Sequence, residues 1–545
     1  MMTTLAAKSK SLSTKKFDNQ RSIGLWHSGA ALCGSLVHIR GMSPEVKSLF
    51  DGLDATIVQT GTEKTVNALC TDSRRVSPGA LFFALGGSRT DGNLFIEEAL
   101  HRGAAAIVSE AMPKRLAPKI TFVKVNDARK VLAEVASRFY GHPEKAMNMI
   151  GVTGTNGKTT ITTLCRHILE TSGRSTGLLG TVAYVMGRRS LPAARTTPDS
   201  AELFSMLDQM RAEGCTDAVM EVSSHGIDQH RVWSIPYRVA AFTNLTQDHL
   251  DYHKTMEAYF DVKSRLFDGR NGCAPEIAVI NIDDACGRRL IDRLPKDVRV
   301  LRFGESLAAD YRADALQMSS TGTKFTLICP EGTFTVDTPL LGRYNVSNVL
   351  CALACVNASG IPIPRAIECL RNFSGVPGRM ERVDCGQDFT VLVDYAHTPD
   401  ALHNALGMLR PITRGRVLVV FGCGGNRDRS KRPQMTKVVQ TEADESWATA
   451  DNPRSETVAG IFEDMKGGVV RPDAIHWVED RRRAIHLALS AAKAGDSVLI
   501  AGKGHETYQE FSDTVATFDD RVVARELLWL RQAGTMWEGG KQPTV

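Results

Sequence analysis

Short apolar runs alternate with polar turns along most of the chain, and the runs differ in kind. ALFFALGG (80–87) and AAAIVSE (104–110) are continuous apolar stretches of strand length. NLFIEEALHRG (93–103), between them, reads as a helix. ARKVLAEVASRFYGHP (128–143) predicts an amphipathic helix ended by Gly141 and Pro143, and MSPEVKSLFDGL, from Met42, predicts a capped helix start with Ser43 ahead of Pro44. Beyond these, AVMEVSS (218–224), VAAFTNL (239–245) and IAVINID (277–283) are apolar runs that each end in polar residues. FTVLVDYA (389–396), RVLVVFGC (416–423), ESWATAD (445–451) and DSVLIAGKG (496–504) repeat the pattern with helical segments between them. Such alternation points to parallel sheets covered by helices. The expected fold class is α/β in three domains: a small α/β domain over 42–128, a central parallel-sheet domain over 129–376, and a C-terminal Rossmann-like α/β domain over 377–535. SGVPGRME (374–381) reads as the linker into the third.

Composition narrows the class without naming a function. The 545 residues suit about three or four domains, and 43% hydrophobic with 23% charged residues is ordinary for a globular chain. Disordered, collagenous and disulfide-stapled chains are excluded. A net charge of +5 over this length has no basic tract of nucleic-acid-binding strength, so no nucleic-acid partner is expected. No window approaches the roughly 18 apolar residues of a membrane span, so no membrane partner is expected. The twelve cysteines are scattered without a C-x-x-C pair; Cys351 and Cys355 read as buried helix packing in a reducing cytosol. Residues 1–41 stand apart, with Lys8, Lys10, Lys15, Lys16, Arg21 and Arg40 against Asp18 alone. They resemble a transit peptide in composition, and the expectation is a disordered tail or a start placed too early. Residues 536–545 read as a second tail.

The first sharp chemical signal is GVTGTNGKTT at 151–160, between an apolar strand and the helix ITTLCRHILE. A glycine-rich turn there aims backbone N–H groups and a helix N-terminus at phosphate. Gly154, Thr155, Asn156, Gly157, Lys158, Thr159 and Thr160 form the candidate nucleotide loop. Lys158 is placed to reach the β- and γ-phosphates and Thr159 to ligate Mg²⁺. The longer G-x-x-x-x-G-K-[ST] loop fails, because position 152 is valine. Glu221, Asn244 and Asn281 sit at the carboxyl ends of strands, where doubly wound sheets bind ligands. Glu221 is a natural oxygen ligand for Mg²⁺; His249, beside Asp248, is an unusual one. Lys263 lies in the amphipathic stretch EAYFDVKSRLF and by itself reads as a snorkelling lysine.

TGTNGKTT, followed by DYAHTPDAL at 394–402, resembles the Mur ligase family, which includes folylpolyglutamate synthases, and the resemblance extends over about residues 42–535. It implies an enzyme: an ATP-dependent amide ligase working through an acyl phosphate with Mg²⁺. Metal ligands are implied at Thr159, Glu221, His249 and a carbamylated Lys263. The catalytic set it implies is Lys158, Lys263, His249 and Arg379. Asn281 matches the residue that reads adenine, Arg379 the hinge arginine that stabilises the transferring phosphate, and Asp394 the acid beside ribose and metal. Carbamylation turns an ammonium into a carboxylate-like anion and requires a neutral amine, hence a lysine with a depressed pKa.

Within the family the chain is similar to the members that add the third residue of the peptidoglycan stem peptide. Ser73 and the Ser88, Arg89 and Thr90 stretch match positions for uridine diphosphate. Thr196, Thr197, Ser223, Gln229 and Arg231 match positions for the muramyl-dipeptide, while Arg195 departs from a common asparagine. GCGGNRDRSKRP, DNPRSE and AGKGHE match the amino-acid site through Arg427, Asp451, Asn452, Pro453, Arg454, Gly502 and Glu506. Arg454 offers a planar fork for the far carboxylate of meso-diaminopimelate and would repel the ammonium of lysine. The implied partners are therefore UDP-N-acetylmuramoyl-L-alanyl-D-glutamate and meso-diaminopimelate, in a cytoplasmic monomer whose third domain closes about 374–378. A lysine-adding ligase of the same family and a plastid-type homologue without catalysis remain the alternative readings.

Overall fold

A computed structural model describes residues 43–87, 90–319 and 321–533. The expectations for residues 1–41 and 536–545, and for Ser88 and Arg89, lie outside the described residues. Three main sheets carry the chain, in sequence order.

The first sheet has five strands in the order Ala55–Gln59, Thr121–Val125, Ala106–Ser109, Ala80–Ala84, Ala68–Cys70. Only the first pair is antiparallel. The run at 80–84 is buried throughout, as its unbroken apolar pattern requires. The helix at 128–139 is capped by Asp127, whose carboxylate accepts from the N–H groups of Arg129 and Lys130. The helix expected after Ser43 begins later, at Val46. Glu45 is drawn into a bridge with Thr65, and the Val46 N–H donates to the Lys64 carbonyl, so sheet-type pairing wins over the cap.

The central sheet has eleven strands. Its parallel core runs Arg299–Gly304, Ile277–Asn281, Tyr237–Phe242, Asn148–Thr153, Asp217–Glu221, Thr176–Leu179. The expected strands 218–221, 239–242 and 277–281 all lie here. The sheet is not wholly parallel, however. An antiparallel extension at 311–338 continues one edge and a hairpin at 183–192 the other. The strand at 189–192 is exposed throughout and the one at 311–319 is mostly exposed from Asp314 onward, a weaker signal than the core runs. The helix following the nucleotide loop, Lys158–Thr171, packs against the helix Arg343–Ala358, where Cys351 and Cys355 are fully buried as expected. None of the described cysteines is in a disulfide.

The third sheet orders six strands as Glu381–Arg382, Thr390–Asp394, Ser497–Ala501, Val417–Cys423, Glu445–Ala450, Ile475–Trp477, parallel except for the first. All four runs expected here are strands. No helix among the described residues is long and apolar enough to cross a membrane.

Candidate active site

The strand Asn148–Thr153 lies between Tyr237–Phe242 and Asp217–Glu221, so the loop 154–157 emerges at the carboxyl edge of the sheet. The neighbouring strand end holds it. The Thr155 N–H donates to the Asn244 carbonyl at 2.9 Å and the Asn156 N–H to Asn244 Oδ1 at 3.0 Å. Thr243 Oγ1 donates to the Asn156 carbonyl at 2.6 Å. Gly154 has φ +144, and a Cβ there would stand 1.9 Å from Thr243 Oγ1, so the loop passes where only glycine fits.

Two lysines converge on this loop. Lys158 Nζ donates to the carbonyls of Gly154 (3.0 Å) and Thr155 (2.8 Å). Lys263 Nζ donates to the same Gly154 carbonyl at 2.9 Å. Lys263 is only 1% exposed, so it does not snorkel to solvent. Burial and the neighbouring Lys158 ammonium push its pKa well below the usual lysine range. Burial also lowers Lys158, against the opposing pull of Glu221 and Asp248. Arg379 adds a further basic group: it also acts to depress Lys158, its guanidinium lies over the Tyr395 ring at 4.6 Å, and its buried Nε has no hydrogen-bond partner. Lys158 and Arg379 beside one loop, with an orphaned donor among them, fit a polyanionic phosphate chain.

Thr159 Oγ1 donates to Glu221 Oε2 at 3.0 Å, and Thr181 donates to both Glu221 oxygens. A hydroxyl and a carboxylate side by side at the loop suit a hard cation that takes its remaining ligands from phosphate and water. His249 has φ +53 and pairs with Asp248 at 3.5 Å; its ring meets the edge of His225 at 5.0 Å between centroids. Among the described residues no three His, Cys, Asp or Glu side chains form a metal cluster by themselves.

The other nucleotide candidates are turned onto backbone. Asn281 donates to the Thr243 carbonyl at 2.8 Å and accepts from the Asp283 N–H, which braces the strand end behind the loop. Asp394 accepts from the N–H groups of Met380 (2.7 Å) and Ala396 (2.8 Å), which fixes the linker carrying Arg379. Burial raises the Asp394 pKa, against the pull of Arg379.

The dipeptide candidates form one network below Glu221. Thr197 Oγ1 donates to the Glu221 carbonyl and accepts from the Ser223 N–H. Ser223 caps the short helix Ser224–Asp228. Arg231 donates to the Thr197 carbonyl (2.8 Å) and to Gln229 Oε1 (2.7 Å). Thr196 pairs with Thr181 at 3.1 Å. Ser73 is buried and donates to Glu98 at 2.7 Å, while the exposed Thr90 offers its carbonyl to the Gly87 N–H.

In the third domain Asn452 and Glu506 are joined by a 2.9 Å hydrogen bond. Arg454, at φ +54, pairs through Nε with Glu510 (2.8 Å) and through Nη1 with the Gly425 carbonyl (2.9 Å). Its Nη2 makes no hydrogen bond among the described residues. Asp451 Oδ2 is buried without a partner and faces Gly502, where a Cβ would approach it to 2.6 Å. The Pro453 carbonyl lies against Gly425, and Arg427 is exposed at the rim. A cleft of about 520 Å³ joins the two halves, lined by Thr181, Arg195 and Thr196 on one side and by Tyr395, His505, Glu506 and Tyr508 on the other. It runs from the residue that holds Glu221 to the amino-acid candidates.

Sequence reasoning missed several residues here. Asn348 Oδ1 would stand 2.4 Å from a Cβ at Gly157, and Asn345 accepts from Asn348. Their signal was available as two asparagines three apart, both buried at the start of a mostly apolar helix. Asp400, within DYAHTPDAL, touches Asn156 and Thr246 and so links the third domain to the loop. Tyr259, buried, pairs with Thr155 and lies under Lys263 at 4.7 Å. His505 meets Tyr395 at a tilt, with ring centroids 5.1 Å apart, and its buried Nδ1 has no partner.

His505 supplies a pH prediction. Burial, with Arg379 and Arg521, pushes its pKa down to about 4 from the ordinary 6.5. Below pH 6.5 the unfolded chain takes up a proton that the folded chain refuses until about pH 4. Stability should therefore fall across that window and level off below it. His505 contributes up to about 3 kcal/mol, at roughly 1.4 kcal/mol per pKa unit. Chemical denaturation at a series of pH values should show a shallower fall for His505→Gln than for the parent. Equal slopes would remove His505 from the account.

Residues 65–140 match the Mur ligase family catalytic domain, 152–356 the Mur ligase middle domain, and 378–504 the Mur ligase glutamate ligase domain. The chain is 45% identical over 491 residues to the UDP-N-acetylmuramoyl-L-alanyl-D-glutamate–2,6-diaminopimelate ligase of Geobacillus thermodenitrificans (strain NG80-2), covering 88% of this chain and 98% of that one. It is 44% identical over 464 residues to the protein of the same name from Listeria monocytogenes serovar 1/2a (strain EGD-e), covering 84% and 94%. A solved structure of a ligase of that name superposes with a TM-score of 0.65 at 33% identity, over 90% of this chain and all of the other. With three domain matches in order, and relatives this similar over nearly their whole length, the chain belongs to the Mur ligase family.

Proposed function

We propose that the chain is an ATP-dependent amide ligase that adds meso-2,6-diaminopimelate to UDP-N-acetylmuramoyl-L-alanyl-D-glutamate, a cytoplasmic step of peptidoglycan precursor synthesis. One observation carries the reading: a single cleft runs from the Thr181–Glu221–Thr159 chain at the phosphate loop to Glu506 beside DNPR. The names of its relatives support the same substrates. In this reading the substrate's D-glutamyl carboxylate attacks the γ-phosphorus of ATP, and an acyl phosphate and ADP result. The diaminopimelate amine then attacks the acyl carbon, and phosphate leaves as the amide forms. Lys158 and Arg379 offset the charge developing on the transferred phosphoryl group. Thr159, Glu221 and His249 would hold Mg²⁺, which supplies further charge neutralisation at the phosphates. Thr197, Ser223, Gln229 and Arg231 orient the dipeptide, and Arg454 takes the far carboxylate of diaminopimelate. Bringing the third domain onto the cleft excludes water from the acyl phosphate.

The test is phosphate release from the purified protein with ATP, Mg²⁺ and the nucleotide dipeptide, comparing meso-diaminopimelate with L-lysine. Release with diaminopimelate alone is expected. Release with lysine would keep the reaction and overturn the role of Arg454. No release with either, from protein that binds ATP, would favour the homologue without catalysis.

Lys263 carries a second expectation. Its buried amine, with its depressed pKa, adds to CO₂, forming an N–C bond and releasing a proton, and the resulting carbamate would offer oxygen ligands for Mg²⁺. Protein equilibrated with ¹³C-bicarbonate should show a carbamate carbon resonance that Lys263→Ala lacks. An unchanged spectrum in that variant would sink the assignment.

A further inference from the structure

We infer that Lys503 is a positioning residue of the amino-acid site, holding Asn452 and Glu506 in place for the incoming amino acid without touching it. The inference rests on the function proposed above. Lys503 is wholly buried. Its Nζ donates to Asn452 Oδ1 at 3.0 Å and to Glu506 Oε2 at 3.1 Å. Asn452 Nδ2 donates to the same Glu506 oxygen at 2.9 Å. The three side chains thus close a ring of hydrogen bonds. Asn452 Oδ1 also accepts from the Glu510 N–H, so its amide can turn only one way.

Topology explains why a long cation stands here. Asn452 follows the strand Glu445–Ala450, and Lys503 and Glu506 follow Ser497–Ala501. These strands are not neighbours; Val417–Cys423 lies between them. The two strands share no ladder, and the loops that follow them meet through backbone only further out, where the Arg454 N–H donates to the Glu510 carbonyl at 3.0 Å; nearer the strand ends side chains span the gap. Arg481 does so one layer below, donating to the carbonyls of Ala450 and Ala501 while paired with the buried Asp520. Lys503 does so at the level of the site.

The arrangement also sets charge. Glu506 Oε2 is occupied by Lys503 and Asn452, whereas Oε1 has no hydrogen bond among the described residues and Glu506 lines the cleft. Asp451 Oδ2, buried and unpartnered, follows the same strand as Asn452. Two carboxylate oxygens are therefore left as acceptors suited to an ammonium group. Lys503, 3.1 Å from Glu506 Oε2, offsets part of the negative charge that would otherwise drive them apart. An apolar residue of the same length would fill the space and do neither.

The test is Lys503→Met, with steady-state constants measured for all three substrates. We expect the KM for meso-diaminopimelate to rise at least tenfold, with kcat and the KM values for ATP and the nucleotide dipeptide within twofold of the parent. In a Glu506→Gln background the same substitution should move the diaminopimelate KM less than twofold, because the carboxylate that Lys503 pairs with is gone. Should Lys503→Met not fold, Lys503→Gln, which keeps a donor but no charge, carries the test with the same expected split. A diaminopimelate KM within twofold of the parent, or a uniform rise in all three KM values, overturns the inference. If the parent itself shows no diaminopimelate-dependent phosphate release, it is the proposed function that has failed, and the two outcomes are distinct.

Discussion

Replacing Lys158 by alanine should lower phosphate release with all substrates present by at least about 10³-fold, equivalent to about 4 kcal/mol of transition-state stabilisation. The side chain is fixed at the loop by two carbonyls and lies close enough to Glu221, Asp248 and Arg379 to feel all three charges. A cation so placed acts on the phosphoryl group without reorganising during the reaction. Its loss has a second consequence. The Lys158 ammonium is one of the two causes that hold down the Lys263 pKa. In Lys158→Ala, Lys263 retains only burial as a reason to stay neutral, so its carbamate signal should weaken at a given bicarbonate concentration. Turnover within tenfold of the parent would contradict the role given to this loop. An unchanged carbamate signal would contradict the coupling alone. Thermal unfolding provides the control for folding, since the substitution also leaves two loop carbonyls without their donor.

The second large effect is expected at Arg454. With Nε on Glu510 and Nη1 on the Gly425 carbonyl, the guanidinium plane is set and Nη2 remains open. A charge-assisted bond to a substrate carboxylate is worth roughly 1.5–3 kcal/mol, and each 1.4 kcal/mol is tenfold. Arg454→Ala should therefore raise the KM for meso-diaminopimelate about 10- to 100-fold and narrow its advantage over L-lysine by a similar factor. Arg454→Lys should recover only part of the loss, because an ammonium cannot form the planar fork. The measurement is the ratio of kcat/KM for the two amino acids. An unchanged ratio in Arg454→Ala would mean that the far carboxylate is recognised elsewhere.

Much of this architecture was legible in the chain before any coordinate. Val219, Val239 and Val279 sit in apolar runs because parallel strands are buried on both faces. The loop at 154–157 was legible because only glycine tolerates its backbone path, and the lysine and threonine after it have a known use at phosphate. The edges of the central sheet were not. The strand at 189–192 exposes every residue and the one at 311–319 most of its second half, so their pairing is decided by neighbours rather than by their own pattern.

The site divides along the same line. Residue types and spacing singled out Lys158, Thr159 and Glu221 as groups that could do chemistry, and the family resemblance added Arg379 and Arg454. They carried no information on how far apart these groups would stand, or on what else would be buried with them. That Lys263 shares a carbonyl with Lys158, that Asp394 braces the arginine linker, and that Lys503 spans two loops from non-adjacent strands were all decided by the tertiary structure. The physical reason is that a pKa, a shared carbonyl or a spanning contact depends on distance and dielectric between residues 100 or 50 positions apart. Local sequence fixes backbone preference over a few residues; only packing sets those distances.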